Sequence, residues 1–195
     1  MASELSSLTP RQNERRSRVI MAALGLAAEG GYDAVQMRAV AERSEVAIGT
    51  VYHYFSSKDH LLASALLMLN RQQAEQVSSH PPVGNTTLER MRDLLGRMTN
   101  SMARNPQASA ALMNAFTTPC EHNITVEQEM GVLTQTMLGT AFPDDHDPAH
   151  RNVIIRTIEH VWYSGLIAFV NGWMPIEQAT TELDNAVVLL LEDLP

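Results

Sequence analysis

The chain holds one cysteine in 195 residues, Cys120, so no disulfide can close within it, which fits a reducing cytoplasm. No apolar run approaches the roughly 18 residues of a membrane span, and the N-terminus lacks the apolar core of a signal peptide. Nothing alternates polar with apolar over a useful length, which argues against a sheet. GxSxG, HExxH and a glycine-rich phosphate loop are all missing. We therefore expect a cytoplasmic, non-enzymatic protein without catalytic residues, bound metal, cofactor or membrane partner.

What is present is a core-forming composition, 45% hydrophobic, and an uneven charge. The net charge is −8, yet residues 1–60 balance seven Lys/Arg against seven Asp/Glu, and the whole excess lies beyond them. Residues 9–18 carry four arginines against one glutamate. Phosphate contact is local, so a basic patch matters more than the total.

Periodicity predicts helices throughout. Residues 1–9 are polar and read as an uncapped, disordered tail. A first helix runs from 10 or 11 to 29, with Val19, Ala22, Ala23, Leu26 and Ala27 inward and Gly30-Gly31 as its stop. A second covers 37–44 behind the weak cap Gln36, and 45–47 turn into a third at 48–54. Gly49 in that third helix costs roughly 1 kcal/mol relative to Ala, which is useful if backbone must approach DNA. Ser56-Ser57-Lys58-Asp59 has the capping-box form and opens a helix to about 78. Residues 80–85 break the pattern, and further helices follow at 87–105, 106–117, 125–141, 148–171 and 175–192. The fold class is all-α: a helix-turn-helix domain at 10–58 and a larger helical ligand-binding and dimerisation domain at 59–195.

In the third helix Val51 and Phe55 are the core candidates, Thr50, His53 and Tyr54 face outward, and Tyr52 lies between. Short polar and aromatic groups suit base edges, thymine methyls and phosphates. Lys58 and Arg38, each at a helix start, are placed to hold phosphates. Residues 15–62 resemble the TetR family of transcriptional repressors through Gly30-Gly31-Tyr32, Met37-Arg38, Val40-Ala41, Val46, Gly49-Thr50-Val51-Tyr52, Tyr54-Phe55, Lys58 and Leu61-Leu62. The resemblance implies a homodimer on a double-stranded palindromic operator. It also implies phosphate contacts from Lys58, Tyr54 and Thr50, with Tyr52 and His53 near the groove.

Eight of the eleven methionines lie beyond residue 60. Methionine suits pockets for flexible apolar ligands, or fills a core. Helical phase selects Met98, Met102, Met113, Phe116, Leu133, Met137, Trp162 and Leu166 as a candidate pocket for an apolar small-molecule effector. Arg104-Asn105-Pro106, Val161-Trp162-Tyr163-Ser164, and Leu183-Asp184 with Ala186-Val187 extend the likeness to the subgroup of that family that represses cholesterol-catabolism genes. This implies a steroid-acid CoA thioester as effector, its CoA part toward solvent; a drug or fatty acyl-CoA is the alternative. His53 stands where that subgroup more often carries arginine, which bears on the operator sequence.

The last two helices are expected to form the dimer seam, through Ala179, Leu183, Ala186, Val187 and Leu190. Trp162, Tyr163, Phe169 and Trp173 suit either that interface or a pocket wall. His146 and His150, with Asp144, Asp145, Asp147 and His122 nearby, read as a solvated loop between Pro143 and Pro148 rather than a metal site. Glu159-His160 reads as a helix surface or interface pair rather than a pocket dyad.

Overall fold

A computed structural model describes residues 8–118, 123–192 and 194. The expected tail, Cys120 and His122 lie outside the described residues, apart from the tail's Leu8 and Thr9. Nine helices are described: α1 (Pro10–Ala34), α2 (Met37–Ser44), α3 (Ile48–Tyr54), α4 (Lys58–Ser79), α5 (Thr87–Ala103), α6 (Pro106–Thr117), α7 (Asn123–Gly139), α8 (Pro148–Val170) and α9 (Ile176–Leu191). No strand occurs among the described residues.

Helix ends follow local chemistry. The start of α1 is not uncapped. The Thr9 hydroxyl accepts from the Gln12 N–H, and the Gln12 side chain accepts from the Thr9 N–H at 2.8 Å, a reciprocal box with Pro10 behind it. Gly30 and Gly31 leave helical geometry, Gly31 at φ 67°, so the regular helix stops where expected and a short turn carries Tyr32 onward. Glu45 closes α2 in the left-handed conformation, φ 54°. The cap of α4 is Ser57, not Ser56: its hydroxyl accepts from the His60 N–H at 3.0 Å. The Ser56 N–H in turn donates to His60 Nδ1 at 3.3 Å.

The helix-turn-helix is not packed as an island. Val19, Ile20, Val40, Val51 and Phe55 share one buried cluster with Leu61, Leu62, Ala65 and Leu66 of α4, and with Ala111, Leu112 and Met113 of α6. A second cluster joins Val77, Met91, Leu94, Met98, Met137, Ile155, Ile158 and Leu183. A third joins Ala63, Leu67 and Val126, with Phe116, Met130 and Leu133 against it. Arg71 binds Glu129 between α4 and α7, and Arg92 binds Asp184 at 2.6 and 2.8 Å between α5 and α9. The break after α4 is pinned: Arg97 donates to the His80 carbonyl at 2.9 Å, and the Val83 N–H donates to Asp93 at 3.0 Å.

Two expectations change here. In α9, Ala179, Leu183 and Val187 are buried within the chain, where α9 packs on α5 and α8, so that stripe is not a free seam. By composition α8 is long and apolar enough to cross a membrane, with a window of mean hydropathy 1.3. It packs instead on α6, α7 and α9.

Candidate nucleic-acid interface and ligand domain

α3 divides by burial. Val51 and Phe55 have no exposed surface, as their spacing predicts. Tyr52 is 53% exposed, and His53 is exposed beside it. Thr50 and Tyr54 are half-buried. The order of the tyrosines is thus reversed from the expectation: Tyr52 points out, while Tyr54 lies edge-on to Phe55 with centroids 6.3 Å apart. An edge contact to a fully buried ring holds the half-buried Tyr54 at the rim of the core. A Cβ added at Gly49 would meet nothing within 4 Å, so the backbone there faces open space.

The cations around this face are unequal. Arg11, Arg15, Arg18 and Arg38 are exposed. Arg16 lies over the Phe55 ring, 5.0 Å from its centroid. Arg43 forms a bidentate pair with Glu29, which holds the Glu29 carboxyl below its usual range. Lys58 opens α4 with its ammonium on Tyr32: it stands 3.6 Å from the ring centroid and donates to the Tyr32 carbonyl at 3.2 Å. The Tyr32 hydroxyl donates to Asp59 Oδ1 at 2.5 Å. Burial, and then that carboxylate acceptor, push the Tyr32 hydroxyl up to about 12. Sequence reading treated Tyr32 only as part of a helix stop and missed that it seats Lys58. No local signal marks that contact, which joins residues 26 apart in the sequence.

The expected ligand residues do not meet around one space. Met98 and Met137 are buried in the second cluster. Trp162 lies half-buried against them, its indole N–H donating to Thr99 Oγ1 at 2.9 Å. Met113 is buried in the first cluster, with Met102 and Phe116 at its edge. Leu133 packs on the third cluster, and Leu166 is buried in α8. A half-open cleft of about 360 Å³ lies where α1, α6 and α8 meet, lined by Tyr32, Gln107, Met113, Asn114, Ile167 and Asn171 among others. Of the expected pocket residues only Met113 lines it. Trp173 is 75% exposed and belongs to the surface.

Asp147, His146 and His150 make local contacts at the start of α8. Asp147 caps α8, accepting from the His150 N–H at 2.8 Å, and that bond lowers its carboxyl below the ordinary range. The His146 and His150 rings stack with centroids 5.3 Å apart. Glu159 is half-buried and its Oε1 has no partner, so burial raises its carboxyl, while the adjacent His160 is exposed.

Comparison with known proteins matches residues 19–65 to the bacterial regulatory proteins of the tetR family, and residues 84–190 to a tetracyclin repressor-like C-terminal domain. The HTH-type transcriptional repressor KstR of Rhodococcus jostii is 38% identical over 184 residues, covering 93% of this chain and 85% of that protein. KstR of Mycobacterium tuberculosis is 35% identical, covering 98% and 86%. A solved TetR transcriptional regulator from Rhodococcus sp. RHA1 superposes with TM-score 0.83 at 25% identity, over 95% of this chain and 100% of that one. FadR of Thermus thermophilus, solved with lauroyl-CoA, shares the fold, with TM-score 0.65 at 19% identity over 90% and 92%. On a helix-turn-helix and a helical second domain that both match, this chain belongs to the TetR family of bacterial regulatory proteins.

Proposed function

We propose that the chain is a homodimeric repressor of sterol-catabolism genes, released from a palindromic operator by a steroid-acid CoA thioester. The observation that carries this reading is 35–38% identity to repressors named KstR, sustained over 93–98% of the chain. The division into an operator-reading part at 10–58 and an effector and dimer part at 59–195 belongs to the same proposal. Tyr52 and His53 read the groove, and Thr50, Tyr54, Arg38 and Lys58 hold phosphates. Two-fold symmetry sets the two α3 copies one DNA turn or more apart.

The effector binds among Met98, Met102, Met113, Phe116, Leu133, Met137, Trp162 and Leu166, in space opened between the packed clusters. It acts by preferring the conformation that cannot span both half-sites. α4 is the mechanical link, because one continuous helix carries Lys58 at its start and Val77 in the second cluster. Linkage requires that the operator weaken effector binding by the same factor.

The test is affinity for an operator selected from random palindromic DNA, with and without candidate thioesters. Release by a steroid-acid CoA thioester, but not by palmitoyl-CoA or free CoA, is the expected result. Release by palmitoyl-CoA or a drug instead would keep the regulator and replace the signal. Indifference to every ligand would leave a DNA-binding protein without a switch.

A further inference from the structure

Asn70 is only 9% exposed, and its Oδ1 has no hydrogen-bond partner. It sits on the inner face of α4, in helical register with Ala63 and Leu67 before it and Ala74 and Val77 after it. Ala63 and Leu67 pack in the third cluster with Val126, Phe116 and Met130. Ala74 and Val77 pack in the second with Met98 and Met137. Asn70 therefore falls between two apolar clusters, both lined by candidate effector residues. Thr134 of α7, 8% exposed, lies between Met130 and Met137 at the same boundary. The Arg71–Glu129 pair fixes the register of the two helices.

A leucine would serve packing at this position, as it does at Leu66 and Leu67. A buried amide oxygen left without a donor is costly, and buried polar groups are nearly always paired. A buried acceptor with no protein partner, within the proposed effector domain, is accounted for if a ligand completes it. We infer that Asn70 selects an effector whose buried end carries an oxygen function, against one that ends in hydrocarbon. A hydroxyl donates to Oδ1, and a half-turn of the amide presents its NH2 to a ketone. An oxygenated steroid nucleus meets this requirement, while the methyl end of a fatty acyl chain leaves the amide unpaired. The inference rests on the proposed effector class and names the end of the ligand that the interior reads.

The test uses the full chain on its selected operator, with three probes: a 3-hydroxy steroid-acid CoA thioester, its 3-deoxy counterpart and palmitoyl-CoA. Wild type should be released by the hydroxy thioester at about tenfold lower concentration than by the deoxy one, the worth of one hydrogen bond. Asn70→Leu should abolish that preference and retain operator affinity. Without ligand it should melt higher by about 3 °C, because the unpaired group is gone. Equal potency of the hydroxy and deoxy thioesters on wild type overturns the inference without any variant. So does a preference that survives in Asn70→Leu, or a lower melting temperature, which marks the amide as structural. Failure of every thioester to release the wild type sinks the proposed function instead, and the melting comparison then judges Asn70 separately.

Discussion

Tyr32 holds three interactions with one side chain and its own carbonyl: the ring under Lys58, the carbonyl on the same ammonium, and the hydroxyl on Asp59. The first two place the cation at the start of α4, where phosphate contact is proposed. Lysine is a flexible point charge, so reaching DNA means exchanging the ring for a phosphate rather than refolding. Tyr32→Phe keeps the ring and carbonyl and removes only the bond to Asp59. It should cost about 1 kcal/mol in denaturant unfolding and leave operator affinity nearly unchanged. A large loss of affinity in this variant would show that Asp59, not the ring, positions the site. Glu159 offers a test by pH. Burial raises its carboxyl, so the fold favours the protonated form. Stability from that group is full below its unfolded value of about 4.3 and is lost as pH rises through the raised folded value. Glu159→Gln should therefore melt higher than wild type near neutral pH, by about 1–3 °C for so partly screened a group. The two should coincide near pH 4, and an equal gap at both pH values would refute the assignment.

Among the elements, α3 carries the sharpest conflict between stability and binding. Gly49 lies inside a seven-residue helix, and a methyl group there would touch nothing in the chain. Gly49→Ala should stabilise the protein by up to about 1 kcal/mol in thermal or denaturant unfolding. The same methyl would stand between backbone and DNA, so operator affinity should fall at least about tenfold, the equivalent of 1.4 kcal/mol. An alanine variant that is both more stable and fully active would show that the backbone never comes close. The bounds of α2 and α3 were legible because turn and glycine signals punctuate them and Val51 and Phe55 fix the phase. The Thr9–Gln12 box was equally legible as T-x-x-Q and was read as tail. What periodicity could not supply was the partner of each apolar face. The stripe of α9 looks the same whether a second chain covers it or α5 and α8 do, and the structure gives it to α5 and α8. Met98 and Met102 share a face of α5, yet one packs in the second cluster and the other at the edge of the first. Seating Lys58 on Tyr32 required a contact across 26 residues, which no local pattern encodes.

Over the whole molecule, charge divides the chain unevenly, and α8 and α9 leave apolar surface uncovered. The balanced first 60 residues bring exposed arginines to the proposed operator side, and an acidic remainder would repel DNA elsewhere, which would orient approach before contact. α8, α9 and the turn between them carry large apolar residues that the chain itself leaves uncovered: Leu189 is 82% exposed, Trp173 75% and Val153 64%. With Leu183 and Val187 spent inside, a dimer through α8 and α9 must use this outer face. Leu189→Arg tests that placement with little risk to the fold, because the side chain touches almost nothing within its own chain. Sedimentation should show a 21.5 kDa monomer where wild type should sediment as the proposed dimer, with helix content and melting behaviour preserved. Operator affinity should fall by about 100-fold or more, since each half-site must then be bound without the effective concentration that the partner supplies. If Leu189→Arg stays dimeric and binds the operator as wild type does, the two-fold axis passes elsewhere. The exposed face of α8 around Val153 would then be the next surface to charge.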